Sequence, residues 1–159
     1  METARTAQKI TDPKVALTKA EHYCAYQERA QQEVRDKLYE WGLWPEAVEQ
    51  TIATLVETNY LNEERFARTY AKSKFNQKGW GRIKIKQSLK IKRIPDKLIQ
   101  KALKEIDGDD YIKRLAQIID KKSAVLVEKN LRKRQYKLLQ YALGRGFESD
   151  LINDLLREE

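Results

Sequence analysis

The sequence predicts an all-α protein built from three tandem three-helix repeats in an elongated, curved arrangement. The composition favours helix: 35% of the 159 residues are charged, and there are six Gly and three Pro. Long side chains that are not branched at Cβ, such as Leu, Lys and Glu, lose little conformational freedom in a helix. One apolar pattern, which spans a helix, a turn and the next helix, also occurs three times, and this favours a tandem repeat over unrelated amphipathic helices. Its three copies are Val34, Leu38, Leu43, Ala47, Val48 and Ile52; Ile85, Leu89, Ile94, Leu98, Ile99 and Leu103; and Leu138, Ala142, Phe147, Leu151, Ile152 and Leu156.

The repeat divides the chain into an N-terminal tail and three modules, at residues 1–12, 13–60, 61–107 and 108–159. We expect the tail to be flexible because it is polar and lacks periodic apolar residues. In the first module, Asp12 can cap the free amides of a helix that Pro13 begins. Gly42 tolerates the left-handed backbone that ends a second helix, and Pro45 begins a third. The predicted helices span residues 13–28, 31–41 and 45–58.

The second module begins at Asn62, which can cap a helix predicted to reach residue 76. A turn, Gly79-Trp80-Gly81, follows. From Arg82 to Lys86 apolar and basic residues alternate, which alone would suggest a β-strand. In the repeat, this stretch aligns with the corresponding segments of the other two copies, which are strongly helical. The alignment therefore predicts a helix. In that helix Ile85 and Leu89 face inward. One continuous outward stripe carries four basic residues, Arg82, Lys86, Lys90 and Arg93. Lys84 and Lys92 flank this stripe.

The third module begins in the acidic segment Asp107-Gly108-Asp109-Asp110. This segment resembles a calcium loop but lacks the twelve-residue spacing and the final Glu, so helix capping is favoured. A second basic cluster in this module either extends the surface of the second module or is an ordinary polar helix face. It comprises Lys129, Arg132, Lys133, Arg134 and Lys137. The predicted helices span residues 111–130, 131–143 and 147–156.

The net charge of +8 is concentrated in the middle of the chain. Residues 72–104 contain twelve Lys or Arg and a single acid, Asp96. A solvated helix face usually mixes charges so that residues four apart attract, and those pairs are missing here. A binding surface is therefore favoured over simple solvation. Trp80 either stacks on a base or a partner side chain, or fills space under its turn. The first candidates for contact are Arg82, Lys84, Lys86, Lys90, Lys92 and Arg93, and the secondary ones are Lys72, Lys74, Lys78 and Trp80.

Catalytic and metal-binding functions find little support in the residue types. Cys24 is the one cysteine, so an intramolecular disulfide is impossible. His22 is the one histidine, so a metal site or a catalytic triad built on histidine is poorly supported. A glycine-rich phosphate loop is also missing. No apolar run approaches the roughly 20 residues that span a bilayer, and the N-terminus does not resemble a signal peptide. We therefore expect a cytoplasmic protein that is not an enzyme and has no cofactor, no metal and no membrane contact.

The stretch Leu55-Val56-Glu57-Thr58-Asn59-Tyr60-Leu61-Asn62-Glu63-Glu64-Arg65-Phe66-Ala67-Arg68-Thr69-Tyr70, followed by Lys78-Gly79-Trp80-Gly81-Arg82-Ile83, resembles the RecX regulatory proteins. The resemblance extends from about Val15 to Leu156 and implies three tandem three-helix repeats. It departs from the family pattern in three places. Ala30 stands where a serine is common, Glu63 where an aspartate is usual, and Arg93 where the corresponding turn has a glycine.

The resemblance implies a noncatalytic modulator that binds RecA and the filament of RecA on single-stranded DNA. Such proteins act in homologous recombination, DNA repair and the SOS response, where they interfere with filament growth, ATP hydrolysis, strand exchange and cleavage of the SOS repressor. The expected partners are RecA and its filament, with naked DNA as an additional possibility, and the expected state is a monomer. The alternative is a stand-alone DNA- or RNA-binding protein that uses the basic helix directly and binds without RecA in a salt-dependent manner. The sequence leaves open whether the basic face contacts DNA, RecA or both.

Overall fold

The computed structural model describes residues 9–158 of the chain. Within these residues the protein forms nine α-helices and no β-strand, which confirms the predicted all-helical class. The chain divides into two compact units, Met1–Phe66 and Ala67–Glu159, and the division falls inside the fourth helix. The helices are α1 (Pro13–Tyr26), α2 (Gln31–Glu40), α3 (Pro45–Glu57), α4 (Glu63–Lys78), α5 (Arg82–Ile91), α6 (Asp96–Lys104), α7 (Gly108–Val125), α8 (Leu131–Gly144) and α9 (Ser149–Arg157).

Side-chain caps fix several helix starts where the sequence predicts them. The Asp12 carboxylate accepts a hydrogen bond from the Lys14 amide at 2.9 Å, and Asn62 Oδ1 accepts one from the Arg65 amide at 2.9 Å. Asp107 Oδ1 accepts from the Asp110 amide at 3.0 Å, so this acid acts as a helix cap. Each such cap contributes about 1 kcal/mol to stability.

The second helix of every module ends in the same turn. Gly42, Arg93 and Gly146 all adopt positive φ, at 100°, 60° and 94°. In each copy the next residue donates its amide to a carbonyl five residues back, which is the bond of a Schellman motif. The three bonds are Leu43 to Leu38 at 3.1 Å, Ile94 to Leu89 at 3.1 Å and Phe147 to Ala142 at 3.3 Å. The backbone therefore repeats as well as the apolar pattern.

The repeated apolar positions form the centres of the modules. Fifteen of the eighteen are buried, and Leu98, Leu103 and Leu151 are partly exposed. In the first unit these side chains pack with Ala16, Ala20 and Cys24 of α1. In the second unit Tyr111 and Phe147 are the largest fully buried side chains.

Several helix bounds differ from the sequence-based expectation. The α7 helix ends at Val125 and not at Asn130, and Val125 is 72% exposed. The cause is Arg134, whose guanidinium bonds the carbonyls of Leu126 and Glu128 at 3.0 and 3.3 Å and holds this segment out of the helix. Helix α1 likewise ends at Tyr26, two residues early.

The inner face of α4 is formed by four buried residues, Phe66, Ala67, Ala71 and Phe75. Tyr70, Ser73 and Lys74 on the same helix are only partly buried.

The described part of the N-terminal segment contacts the first unit. The Ile10 amide donates to the Trp41 carbonyl at 2.7 Å, and the Ile10 side chain packs against the core of this unit. Residues 1–8 of the predicted flexible tail lie outside the described residues.

Candidate binding surface

Helix α5 presents its basic side chains on two faces. Lys86 and Lys90 lie on the exposed face, and Arg93 is exposed in the turn that follows. Lys84 and Lys92, eight residues apart, lie on the face next to α4, where they are partly buried. The sequence therefore predicted the basic helix α5 correctly. It did not predict that one face of α5 lies against α4.

A group of aromatic rings and ammonium groups covers the α4–α5 side. We call Tyr70, Lys74, Trp80, Lys84 and Lys92 the basic–aromatic face. Lys74 Nζ and Lys84 Nζ lie 4.9 and 4.6 Å from the centre of the Trp80 ring. Lys74 Nζ and Lys92 Nζ lie 5.3 and 5.6 Å from the centre of the Tyr70 ring. Cation–π contacts of this kind contribute about 0.5–1 kcal/mol each at exposed sites, so the rings hold the lysines in place.

Trp80 is only partly buried, and the ammonium groups of Lys74 and Lys84 lie near its ring. Part of its surface is therefore accessible to a partner. An indole that keeps accessible surface beside two cations can stack on a base or a planar side chain.

Tyr70 and Ser88 belong to this surface, although the sequence-based candidates did not include them. The two hydroxyl groups are hydrogen-bonded to each other and tie α4 to α5. Helical spacing could have indicated both residues. Tyr70 precedes Lys74 by one helical turn, and Ser88 lies midway between Lys84 and Lys92.

Two exposed lysines among the predicted contacts, Lys90 and Lys72, have acidic neighbours. Lys90 Nζ lies 3.9 Å from Asp96 Oδ1, and Lys72 Nζ lies 3.9 Å from Glu105 Oε2. Arg68 Nε is closer to that same carboxylate, at 3.0 Å. Exposed pairs at this separation contribute little and leave the lysine available to a partner.

The expected outward position of Arg82 is wrong. Its Nη1 lies 2.9 Å from Glu148 Oε2, and its guanidinium lies 3.9 Å from the centre of the Tyr111 ring. The Arg82 amide donates to the Tyr111 hydroxyl at 3.0 Å, and this hydroxyl donates to the Glu148 carboxylate. Burial, followed by the bond to Glu148, raises the pKa of Tyr111 well above its ordinary value. Arg82 thus connects α5 to the third module.

Two glycines complete this connection at the start of α5. The Gly81 amide donates to the Arg145 carbonyl at 2.8 Å, and the Ile83 amide donates to the Gly146 carbonyl at 3.0 Å. A Cβ atom at Gly81 would lie 2.4 Å from the Gly146 carbonyl carbon, and one at Gly146 would lie 2.3 Å from Lys84 Cβ. A side chain at either position would force the two segments apart. We call this contact the glycine joint.

The second basic cluster is partly structural. Arg134 also bonds Ser123 Oγ at 2.7 Å, and Lys137 Nζ pairs with Glu128 Oε2 at 3.0 Å. Lys129, Arg132 and Lys133 are exposed. Two of the five cations therefore hold the α7–α8 connection.

The part of the chain that the structure describes has neither a cluster of metal-ligand residues nor a helix suited to a bilayer. Across residues 9–158, His, Cys, Asp and Glu form no group of three or more that could hold a metal ion. None of the helices in this range is long and apolar enough to cross a membrane.

These features define a class of protein, namely tandem three-helix modules that carry a basic and aromatic face on the central one. Family models for the first, second and third three-helix domains of RecX match residues 16–55, 62–103 and 109–156. The chain belongs to the RecX family.

Individual relatives agree with this assignment. The chain is 30% identical over 148 residues to "Regulatory protein RecX" of Prosthecochloris aestuarii, covering 93% of this chain and 95% of the relative. It is 32% identical over 139 residues to the protein of the same name from Lactobacillus johnsonii, covering 86% of this chain but 50% of that relative. The crystal structure of RecX from Lactobacillus salivarius matches with a TM-score of 0.83 at 25% identity, covering 92% of this chain and 95% of that one.

Proposed function

We propose that this chain is a noncatalytic regulator that binds RecA, above all RecA assembled on single-stranded DNA. Binding would inhibit filament growth, ATP hydrolysis, strand exchange and cleavage of the SOS repressor. The observation that carries the proposal is the basic–aromatic face in a member of a family of regulatory proteins. Its partner is therefore expected to offer negative charge and planar groups together.

Charge and stacking give this face two separate means of contact. Lysines that neutralise DNA phosphates release counterions, which makes binding strong at low salt and weak at high salt. An accessible indole adds about 1–3 kcal/mol per stacked base without requiring a particular sequence. A filament that exposes both phosphates and acidic protein surface would be bound through both charge and stacking.

The structure suggests different roles for the candidate residues. We propose that the contacts come from Lys74, Lys78, Trp80, Lys84, Lys86, Lys90, Lys92 and Arg93, with Lys72 at the edge beside Glu105. Arg82 is better described as a positioning residue, because it bonds Glu148 and Tyr111. The glycine joint and Arg82 fix the first turn of α5, so little ordering of this turn is needed on binding.

A binding experiment with three arms tests the proposal. The protein is labelled with a fluorophore and titrated with RecA on single-stranded DNA in the presence of a nonhydrolysable ATP analogue, with RecA alone, and with the same DNA alone. We expect binding to the filament to be at least about tenfold tighter than to naked DNA, a difference of about 1.4 kcal/mol. Equal affinity for filament and naked DNA would instead support the stand-alone nucleic-acid-binding function.

The noncatalytic part of the proposal needs its own measurement. Labelled DNA and ATP are incubated with the protein and Mg²⁺, and cleavage and phosphate release are followed. We expect neither reaction above background. We further propose a monomer in the cytoplasm, for which sedimentation of the free protein and cell fractionation are the tests.

A further inference from the structure

A cationic cavity of about 550 Å³ lies between α7 and α8 in the third module. This volume falls within the range of small-molecule sites, about 300–1,000 Å³. Arg114, Lys121 and Arg145 line the cavity together with Tyr141, and Asp120 is the one acid among its described lining residues. The cavity therefore carries an excess of positive charge.

Two donors at this cavity lack acceptors. Arg114 Nε and Arg145 Nε are both shielded from solvent, and neither has a hydrogen-bond partner among the described residues. A buried donor without a partner costs about 1–3 kcal/mol, and more when it is charged. The guanidinium groups of Arg114 and Arg145 line the cavity and match the oxygens of phosphate in geometry and charge, although their shielded Nε atoms have no surface that an anion in the cavity could touch.

Both arginines are held in place by the turn that carries Trp80. Arg145 Nη1 donates to the Lys78 carbonyl at 2.9 Å. A Cβ atom at Gly79 would lie 3.4 Å from Arg114 Nη2, so the Arg114 guanidinium packs directly against this turn. The cavity is thereby next to the basic–aromatic face.

We propose that this cavity binds a phosphate group, with Arg114 and Arg145 as its principal ligands. The phosphate would come from the nucleic-acid backbone that contacts Trp80 and its neighbouring lysines, and this choice of source rests on the proposed function. The third module would then take part in binding DNA beside the second. A free phosphate or nucleotide presents the same chemistry, so the experiment must separate the two sources.

The side-chain Nε–Hε signals of arginine in ¹H–¹⁵N correlation spectra report on the environment of the two guanidinium groups. The ¹⁵N-labelled full chain is titrated with inorganic phosphate, and separately with a short oligothymidylate, at constant ionic strength maintained with chloride. Arg114→Lys and Arg145→Lys assign the two signals, since each removes one Nε–Hε group and keeps the charge. We expect both signals to shift in a saturable manner, and Arg114→Gln to weaken phosphate binding by about tenfold, as loss of a charged hydrogen bond would.

Arg132→Gln is the matched control, because Arg132 is exposed on α8 and does not line this cavity. Its phosphate affinity should equal that of the unsubstituted protein. Saturation by the oligonucleotide at lower concentration than by phosphate would support a backbone source. Shifts with phosphate but not with the oligonucleotide would support the site and refute that source.

Two results would overturn the site itself: signals that stay fixed in both titrations, or signals that move equally with chloride. The decisive titration uses the unsubstituted protein, so a variant that fails to fold does not obscure the answer. RecA is not present in this experiment. A failed phosphate site therefore stays distinguishable from a failed RecA proposal, which the filament-binding experiment tests.

Discussion

Tyr111→Phe tests the connection between α5 and the third module. The substitution keeps the buried ring, whose centre lies 5.8 Å from that of Phe75 and 5.0 Å from that of Phe147. It removes the hydroxyl that donates to Glu148 and accepts from the Arg82 amide. Loss of the charged bond and the unsatisfied amide together predict a loss of about 2–4 kcal/mol in the free energy of unfolding at pH 7.

The same substitution has a distinctive pH dependence. Because the pKa of Tyr111 is raised in the folded protein, the unfolded chain loses this proton first, above about pH 10. The raised pKa therefore contributes stability that is fully present below that pH and is lost as the pH rises. The variant cannot lose this contribution, so its deficit should shrink by about 1.4 kcal/mol between pH 9 and pH 11.

Urea unfolding followed by circular dichroism at pH 7, 9 and 11 measures both effects. Tyr136→Phe is the control, because Tyr136 is 62% exposed and its substitution should change the free energy of unfolding by less than about 0.5 kcal/mol. A deficit for Tyr111→Phe below that value at pH 7, or one that stays constant up to pH 11, would refute the role assigned to this hydroxyl.

Three further predictions concern local structure. Arg93→Gly should raise the free energy of unfolding by about 0.5–1 kcal/mol, because φ of 60° costs a residue with a Cβ roughly 1–2 kcal/mol; thermal unfolding measures it, and an unchanged midpoint would show that this turn is unstrained. Ala30→Ser should raise the free energy of unfolding by about 1 kcal/mol, because it gives α2 the capping side chain that it lacks. At present the Glu33 side chain accepts from the Ala30 amide at 3.4 Å, but no side chain at position 30 caps the helix. Urea unfolding measures the gain, and an unchanged free energy of unfolding would show that the serine hydroxyl does not cap α2. Arg134→Met should speed amide exchange near Leu126, where the guanidinium now holds the carbonyl; unchanged exchange there would contradict its role.

The sequence predicted α5 correctly because two kinds of pattern were compared. Alternation from Arg82 to Lys86 suggested a strand, whereas the register with the other two copies required a helix, and the structure has a helix over Arg82–Ile91. The sequence also predicted the left-handed turn at Gly42. The local pattern alone would have given the wrong element for α5, and the comparison between repeated copies corrected it.

The parts that failed depend on distant residues. Helical spacing places Arg82 outward, but its partner Glu148 is 66 residues away in the chain. The pattern through Val125 continues the α7 helix, whereas Arg134 from the next helix captures the carbonyls beyond it. A single sequence carries no signal for such pairs, and for the same reason it does not indicate the cavity that Arg114 and Arg145 line.

The central claim is that the exposed face of α5 contacts the RecA filament. The direct measurement is inhibition of DNA-dependent ATP hydrolysis by RecA, with Lys86→Glu and Lys90→Glu combined in one variant. Both side chains are exposed, so the fold should survive, as circular dichroism can verify. Lys14→Glu with Lys113→Glu changes the same charge at exposed positions outside this helix and is the matched control.

We predict that the α5 variant needs at least about tenfold more protein for half-maximal inhibition, since each reversed contact should cost about 1 kcal/mol or more. The control variant should inhibit like the unsubstituted protein. Full inhibition by a folded α5 variant, or an equal loss in the control, would contradict the claim.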